Sequence, residues 1–595
     1  MAKWMLYMKK ENFREIAQAC GISQVLARVI RNRDVMGIEA TRLFLHGSLS
    51  DLRDPGLLPD MDKAVGILTE KIRAGTAVRV IGDYDVDGIC ASYILMRTLS
   101  VCGASADVVL PDRVRDGYGM NPQMAREAAE DGIGVILTCD NGIAASEAVR
   151  EAKEAGLCVV VTDHHEVPFE EEDGEERRYL LPPADAVVDP KVHSPETGEI
   201  EYPFPEICGA VVAWKLADRL HTELAPDQRD GLLEELLPFC ALATVCDVMP
   251  LKDENRILVR EGLRRASHTE NTGLRSLLAV NGLEGKLLST YHAGFVIGPC
   301  LNATGRLDNA ERALALFLEV DPSEALRSAQ KLRELNDSRK SLTEQGVQQA
   351  LAQIHKRHLL DNRVMVIFLP ECHESLAGII AGRIRERYSR PVFVLTRTEN
   401  GIAKGSGRSI EAYDMYSSMT EVKDCFVKFG GHKMAAGLSM REEAIPLLQE
   451  RLERGCTLRR EDLTEVLHID MELPPSLWNL EMTEELRLLE PCGTENLRPM
   501  FAARGIRLHS VRVMGRARNV LGFDAEDADG RKLSLTYFRD ADRFFDELAE
   551  SRGAGECRLL QRGQARTRVS IVYHPEINDW RGHRSLRFVV KDMHL

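Results

Sequence analysis

The chain has 595 residues, 44% of them apolar and 28% charged, with a formal net charge of 77 − 92 = −15. That length calls for several domains of ordinary globular composition, and the acidic balance excludes a chain that grips polyanions with its whole surface, so any nucleic-acid groove has to be a local basic patch. Fourteen cysteines contain no CxxC pair, which excludes a zinc ribbon and argues against a disulfide framework; several of them, Cys90, Cys158 and Cys240, sit in apolar runs as small buried thiols do.

The same pattern points to a reducing cytoplasm. No run of about 18 apolar residues offers a membrane span, and the opening MAKWMLYMKKENF lacks the apolar core and cleavage site of a signal peptide. Residues 1–75 read as short helices, with apolar residues at helical spacing in Glu11–Ala19, Gln24–Arg31 and Ile38–Leu45. They are expected to pack as a layer on the domain that follows.

From residue 76 the chain alternates strand and helix: Ala77–Ile81, Ile89–Val101, Ala106–Leu110, Pro122–Glu130, Ile133–Thr138, Ala144–Ala155, Leu157–Thr162, and then Ala186–Val188. Such alternation predicts an α/β domain with a parallel, doubly wound sheet and right-handed crossovers. The first strand ends in VIGDYDVDGIC, with Asp83, Asp85 and Asp87 at alternate positions. Three carboxylates crowded at one strand end repel one another and call for a cation. An EF-hand is excluded, because its twelfth loop position would be Ile94 and a helix follows at once; a solvated acidic loop is the plain alternative. Two further strands end in Asp140 (CDNG) and in Asp163, His164 and His165 (DHH). In a parallel sheet, ligands bind beyond the carboxyl ends of the strands. Carboxylates and imidazoles converging there suit manganese, magnesium or zinc. The acidic stretch Glu170–Glu176 interrupts the alternation as a surface insertion.

Helices are expected over Gly209–Leu220, Leu232–Val245, Asn255–Ser267 and Thr272–Val280, with Asp247 just past an apolar helix end. Residues 321–358 form a long charged segment, with neither glycine nor proline between Ser323 and Gln345. A second small α/β domain follows, with strands Val364–Leu369 and Pro391–Leu395 around the helix Leu376–Tyr388. From Leu489 short alternating runs, Ile506–Val513, Leu533–Tyr537, Val569–Tyr573 and Leu586–Val590, predict a small barrel. Arg552–Asp592 carries nine basic and four acidic residues, 9 − 4 = +5, with Tyr573, Trp580 and Phe588 interleaved. That mixture suits backbone contact plus base stacking; an ordinary barrel with core aromatics is the alternative.

DYDVDG, CDNG and DHH in this order resemble the DHH phosphoesterase superfamily, and within it the bacterial exonucleases that act on single-stranded DNA. Further motifs match: PDRVRDGYG (Pro111 to Gly119), TVCDVMPL (Thr244 to Leu251), GPCLNATGR (Gly298 to Arg306), KGSGRS (Lys404 to Ser409) and FGGHKMAAG (Phe429 to Gly437). The resemblance implies a DHH catalytic domain (76–320), a bridging helix (321–358), a DHH-associated domain (359–460) and a C-terminal OB-fold-like domain that binds nucleic acid (461–595). It implies hydrolysis of single-stranded DNA, 5′ to 3′ and to mononucleotides, by two divalent ions, manganese before magnesium. The catalytic set is then Asp83, Asp85, Asp87, Asp140, Asp163, His164, His165 and Asp247. Asp85 holds one ion and Asp87 the other, Asp140 bridges, and His164 and Asp247 complete the ligand set of the second ion. Asp83 and Asp163 are ligands or orienters, and His165 faces the scissile phosphate or the leaving oxygen. Asn302, Arg306, His373, Ser406, Arg408, Gly431 and His432 are the implied substrate contacts. The setting is DNA repair and recombination, by a monomer working with a helicase and a single-strand-binding protein. Two departures stand out. Cys300 occupies a position where the family has Arg, and Glu170–Glu176 replaces a compact loop. Ile81, where pyrophosphatase relatives carry His, argues against that branch. A phosphodiesterase of short RNA or cyclic dinucleotides and a non-catalytic binding subunit are the rivals; the intact acids and both histidines argue against the second.

Overall fold

The computed structural model describes residues 2–113, 115–170, 177–194, 197–398, 401–565, 567–580 and 582–595, without the side chain of Trp580. Most of the expected acidic insertion, 171–176, lies outside the described residues, as do Arg566 and Arg581 of the basic C-terminal stretch. The chain forms two compact units, Gly47–Thr457 and Met1–His46 together with Leu458–Leu595. Among the described residues no helix is long and apolar enough to cross a membrane.

The central unit is built on a five-stranded, all-parallel sheet in the order Ala106–Val109, Val78–Ile81, Val135–Cys139, Cys158–Thr162, Ala186–Val188. Successive side chains leave a strand on opposite faces, so the sheet feeds two cores. Val78, Val80, Leu137 and Val160 join helices Val86–Val101, Gly209–Leu224 and Arg229–Cys246 on one face. Ile81, Ile136, Val159 and Val161 join Pro122–Glu130 and Ser146–Glu154 on the other. Strand order reverses beside Val78–Ile81, and the open crevice of such a sheet lies there, past the strand ends.

The long helix spans Pro322–Lys356, capped by Asp321, whose side chain accepts from Ser323 and Glu324 N–H. Its 35 residues reach about 50 Å at about 1.5 Å per residue. Ala325, Ala329 and Leu332 enter the first core, whereas Val347, Ala350, Leu351 and Ile354 enter a separate one with Met365, Ile367 and Ile380. The helix thus joins two cores within one unit. The second sheet runs Lys428–His432, Ala435–Arg441, Ile402–Arg408, Val392–Arg397, Met365–Phe368, and only its last pair is parallel.

In the other unit, five strands pair in a ring. Phe501–Met514 pairs with Val520–Glu526, that with Lys532–Tyr537, that with His583–His594, that with Thr567–Trp580, and Thr567–Trp580 pairs back onto Phe501–Met514. The first three helices, Phe13–Cys20, Gln24–Asn32 and Gly37–His46, belong here and not on the catalytic sheet. Leu26, Val29, Ile30, Phe44 and Leu45 share a core with Trp478 and Phe501, and strand Lys3–Leu6 pairs in parallel with Val466–Ile469. Helical spacing shows that a face is buried, not what buries it, which is why a layer on the following domain was expected. The stacking expectation for Tyr573 and Phe588 is corrected too. Tyr573 is fully buried, donating to the Leu473 carbonyl and accepting from Trp478 Nε1, and Phe588 is buried in the same core.

Candidate metal centre and its flanking pocket

Strand Val78–Ile81 delivers Asp83, Asp85 and Asp87 into the crevice. Asp85 is the N-cap of helix Val86–Val101, its Oδ1 accepting from Asp87 and Gly88 N–H. Asp87 is held by the start of helix Gly209–Leu224, whose Gly209 and Ala210 N–H groups donate to its two oxygens at 2.7 Å each. A helix N-terminus favours such an anion. Asp83 accepts from Gly119 N–H at 3.1 Å.

Asp140 ends the third strand in a left-handed turn, φ 60°. Its Oδ1 lies 3.0 Å from His164 Nε2, while Oδ2 is buried and has no hydrogen-bond partner among the described residues. Asn141 ties this turn to the first strand, donating to the Ile81, Gly82 and Cys139 carbonyls. His164 Nε2 also lies 3.4 Å from Asp87 and 3.7 Å from Asp247, which caps helix Arg229–Cys246. Two trios therefore have the spacing of metal ligands: Asp87, His164 and Asp247, and Asp140, His164 and His165. Asp163 is engaged by the protein itself. Its Oδ1 accepts from His164 and His165 N–H and from His165 Nδ1, and its Oδ2 from Ile143 N–H.

Burial, with the charge of Asp85, pushes Asp83 up to about 8 and Asp87 up to about 6. Burial and the charges of Asp87 and Asp85 push Asp247 up to about 8 and hold Asp140 well above the carboxylate range. Burial and the neighbouring His165 hold His164 down to about 3, so it is a neutral imidazole. Burial opposes protonation of His165 as well, but the Asp163 carboxylate outweighs it and lifts His165 to about 9. A buried acid cluster with a neutral imidazole and an unpartnered carboxylate oxygen is a donor set that fits divalent ions.

The cleft over this cluster has a volume of 610 Å³ and is lined by Tyr118, Asp163, His164, His165, Lys191, Asp247 and, from the second sheet, His432. A pocket of 190 Å³ lies between the two domains of this unit, lined by Arg113, Arg306, Ser375, Gly378, Lys404, Ser406 and Arg408. Arg113, Arg306 and Arg408 form no ion pair among the described residues. Burial and the charges of Arg113, Arg339 and Arg408 push Arg306 down to about 9, and burial with Arg113 and Arg385 lowers Arg408. Cations held this close invite an anion.

Other expected contacts divide. Asn302 lies on the same helix as Arg306, Gly298–Leu307. His373 is not in the pocket lining; its Nδ1 faces Ser375 Oγ at 2.7 Å, and Ser375 in turn exchanges hydrogen bonds with the Arg306 backbone and guanidinium. Gly431 is exposed and tolerates no side chain, because a Cβ there would meet Ala435 O at 2.4 Å in its own hairpin; the space beside Gly430 is open. Cys300 is buried, its thiol 3.4 Å from Asn336 of the long helix. Tyr118 escaped the sequence reading although it sits in a matched motif. Its hydroxyl donates to the Asp140 carbonyl at 2.6 Å and lies 3.1 Å from His165 Nε2.

Three domain families match: the DHH family N-terminal domain over 77–244, the DHHA1 domain over 361–457 and the RecJ OB domain over 469–592. The fold and the site thus define a DHH-domain protein with an appended OB domain. The single-stranded-DNA-specific exonuclease RecJ of Bacillus subtilis is 32% identical, aligned over 98% of this chain and 69% of its own length. That of Escherichia coli is 33% identical over 90% and 92%. RecJ of Thermus thermophilus crystallised with Mn2+ superposes with a TM-score of 0.78 at 28% identity, covering 100% of this chain and 79% of the other; its Mg2+ complex gives 0.73 at 27%, covering 100% and 78%. The chain belongs to the RecJ family.

Proposed function

We propose that this chain is a divalent-metal-dependent exonuclease that hydrolyses single-stranded DNA from the 5′ end to mononucleotides, in repair and recombination. The observation that carries it is the buried acid and imidazole cluster around Asp140 Oδ2, which has no hydrogen-bond partner among the described residues, set beside a pocket of arginines that form no ion pair among them. Relatives named as single-stranded-DNA-specific exonucleases, and their complexes with Mn2+ and Mg2+, support the substrate and the ions.

Asp85, Asp87, Asp140, His164 and Asp247 would hold two ions, manganese before magnesium. When bound, such ions stabilise charge on the phosphate oxygens and make an attacking water more acidic. Asp163 accepts from His165 Nδ1–H and favours the imidazolium, whose second proton is on Nε2, turned toward Tyr118 and the cleft. His165 is thereby ready to protonate a leaving oxygen. Arg113, Arg306, Ser406 and Arg408 would grip a terminal phosphate, and His432 would add a donor above the cleft. A monomer in the cytoplasm, served by a helicase and a single-strand-binding protein, completes the reading.

A 5′-labelled single strand and its duplex, each with and without manganese, provide the test; hydrolysis of the duplex alone, or no dependence on the ion, would refute it. Arg408→Ala should raise KM roughly tenfold or more, the scale of a charged hydrogen-bond pair. Lys should rescue only in part, because a point charge replaces a fork of donors. Unchanged KM would remove Arg408 from the site.

A further inference from the structure

We infer that Tyr291 and Phe295 form an aromatic platform on which bases of the incoming single strand stack beside the metal centre. Their rings are stacked on each other, centroids 5.4 Å apart and planes 19° apart, yet they are 62% and 71% exposed. Large rings left in water in this way mark a binding surface.

The platform is rigidly mounted. Tyr291 belongs to a short helical turn, Thr290–His292, and Phe295 to the π-turn Ala293–Ile297 that continues it. A π-turn widens the helix by one residue and recurs at functional sites. Behind the rings, Ala293 and Ile297 are fully buried. The Cys246 thiol donates to the Ala293 carbonyl at 3.6 Å, and a Cβ on Gly298 would come within 2.4 Å of that sulfur. A Cβ on Gly294 would touch Val245 at 3.5 Å. The turn is therefore fastened to the last turn of helix Arg229–Cys246, whose cap is Asp247.

Its place in the chain gives the platform its ligand. On one side stands Asp247, in the wall of the metal cleft. On the other, the π-turn runs straight into helix Gly298–Leu307, which carries Arg306 into the phosphate pocket. A strand bound at both sites has bases to place along this segment. Two parallel rings offer flat faces that every base can use, with no demand on sequence. The inference rests on the nuclease reading above.

The full chain, with manganese, should be compared with three variants on two substrates: a dT 30-mer, and a strand of equal length with abasic sites in place of the thymidines. The double variant Tyr291→Ala with Phe295→Ala should raise KM on the 30-mer about tenfold or more. The gap between wild type and variant should shrink on the abasic strand, which keeps its phosphates. Tyr291→Trp should keep the low KM. Phe295→Leu, which keeps apolar bulk at an exposed site, should still lose part of it. Equal KM values on the 30-mer, or an equal loss on both strands, would overturn the platform and assign the rings to a protein partner or to the scaffold. If the wild type degrades neither strand, the nuclease reading fails. Equilibrium binding of the labelled 30-mer against the abasic strand in chelator then decides the platform alone, preserved preference in the double variant refuting it.

Discussion

Asp140 shows how one side chain can be fixed by its fold and still need something the fold does not provide. Its turn has a φ of 60°, and Gly209 packs so close that an added Cβ there would come within 2.7 Å of the Asp140 Cβ. Oδ1 meets His164, and Oδ2 is buried in a cluster of like charges with no donor among the described residues. Asp140→Asn keeps the shape and removes one charge. Loss of a partner behind a metal ligand already costs about 10–100-fold, so cleavage should fall by more than about 100-fold. Metal content should drop as well. Without metal the variant should melt no lower than the wild type, because repulsion in the cluster is relieved. The rise in Tm on adding manganese, large in the wild type, should shrink. Near-normal cleavage with full metal content would remove Asp140 from the centre. Calorimetry with and without manganese, beside a nuclease rate, reads all three.

At the scale of elements, what the sequence disclosed was whatever local chemistry decides. A carboxylate that ends a short apolar run in a strand–helix alternation marks a strand end, so Asp83, Asp140 and Asp163 were legible. So was the long helix, since the 23 residues from Ser323 to Gln345, with neither glycine nor proline, leave little else to form. What stayed hidden depends on packing between distant elements. Nothing near Asp87 in the sequence announces that Gly209 and Ala210 N–H groups hold it. Nothing in the barrel strands tells a core tyrosine from a stacking one, and Tyr573 is core. Gly209→Ala tests the first of these contacts. Its methyl would press on Asp140 and push the helix start off Asp87; overpacking of this kind costs about 1–3 kcal/mol. Stability should drop by that amount and the nuclease rate more than tenfold, and a variant unchanged in both would show the contact to be dispensable. The barrel carries a test that depends on pH. Hydrogen bonds from His574 and Arg587 hold Glu576 down to about 2, against an ordinary 4.5. A depressed acid stabilises the fold above its unfolded value and loses that contribution as pH falls through its folded one. Glu576→Gln should therefore cost about 1–3 kcal/mol at pH 7. The gap to wild type should close between pH 4.5 and about 2; denaturant curves at pH 7 and pH 3 that show a constant gap would rule out the coupling.

For the whole molecule, the placement of residues 2–46 decides where the chain can be cut. Among the described residues, three cores of the central unit have their buried members between Leu58 and Val394. Among the described residues, the cores of the other unit draw on the first 46 residues and those from 469 onward. Removing just the C-terminal part after residue 460 would strip strand Lys3–Leu6 of its partner Val466–Ile469 and bare Leu26, Val29, Ile30, Phe44 and Leu45. Exposed apolar surface of that extent is an aggregation hazard. Fragment 1–460 should therefore be largely insoluble, whereas 47–457, cut at both unit boundaries, should be soluble and melt cooperatively. The metal cleft and the arginine pocket lie wholly within 47–457. This fragment should keep hydrolysis of a tetranucleotide within a few-fold and lose affinity for a 30-mer by tenfold or more, since an OB domain that tracks a single strand adds contacts along several nucleotides. The decisive comparison sets the shorter fragment against the full chain, each assayed for catalytic efficiency on both lengths. Equal losses on the two would make the OB-bearing unit a support for the fold, and equal solubility of the two fragments would refute the assignment of the first three helices.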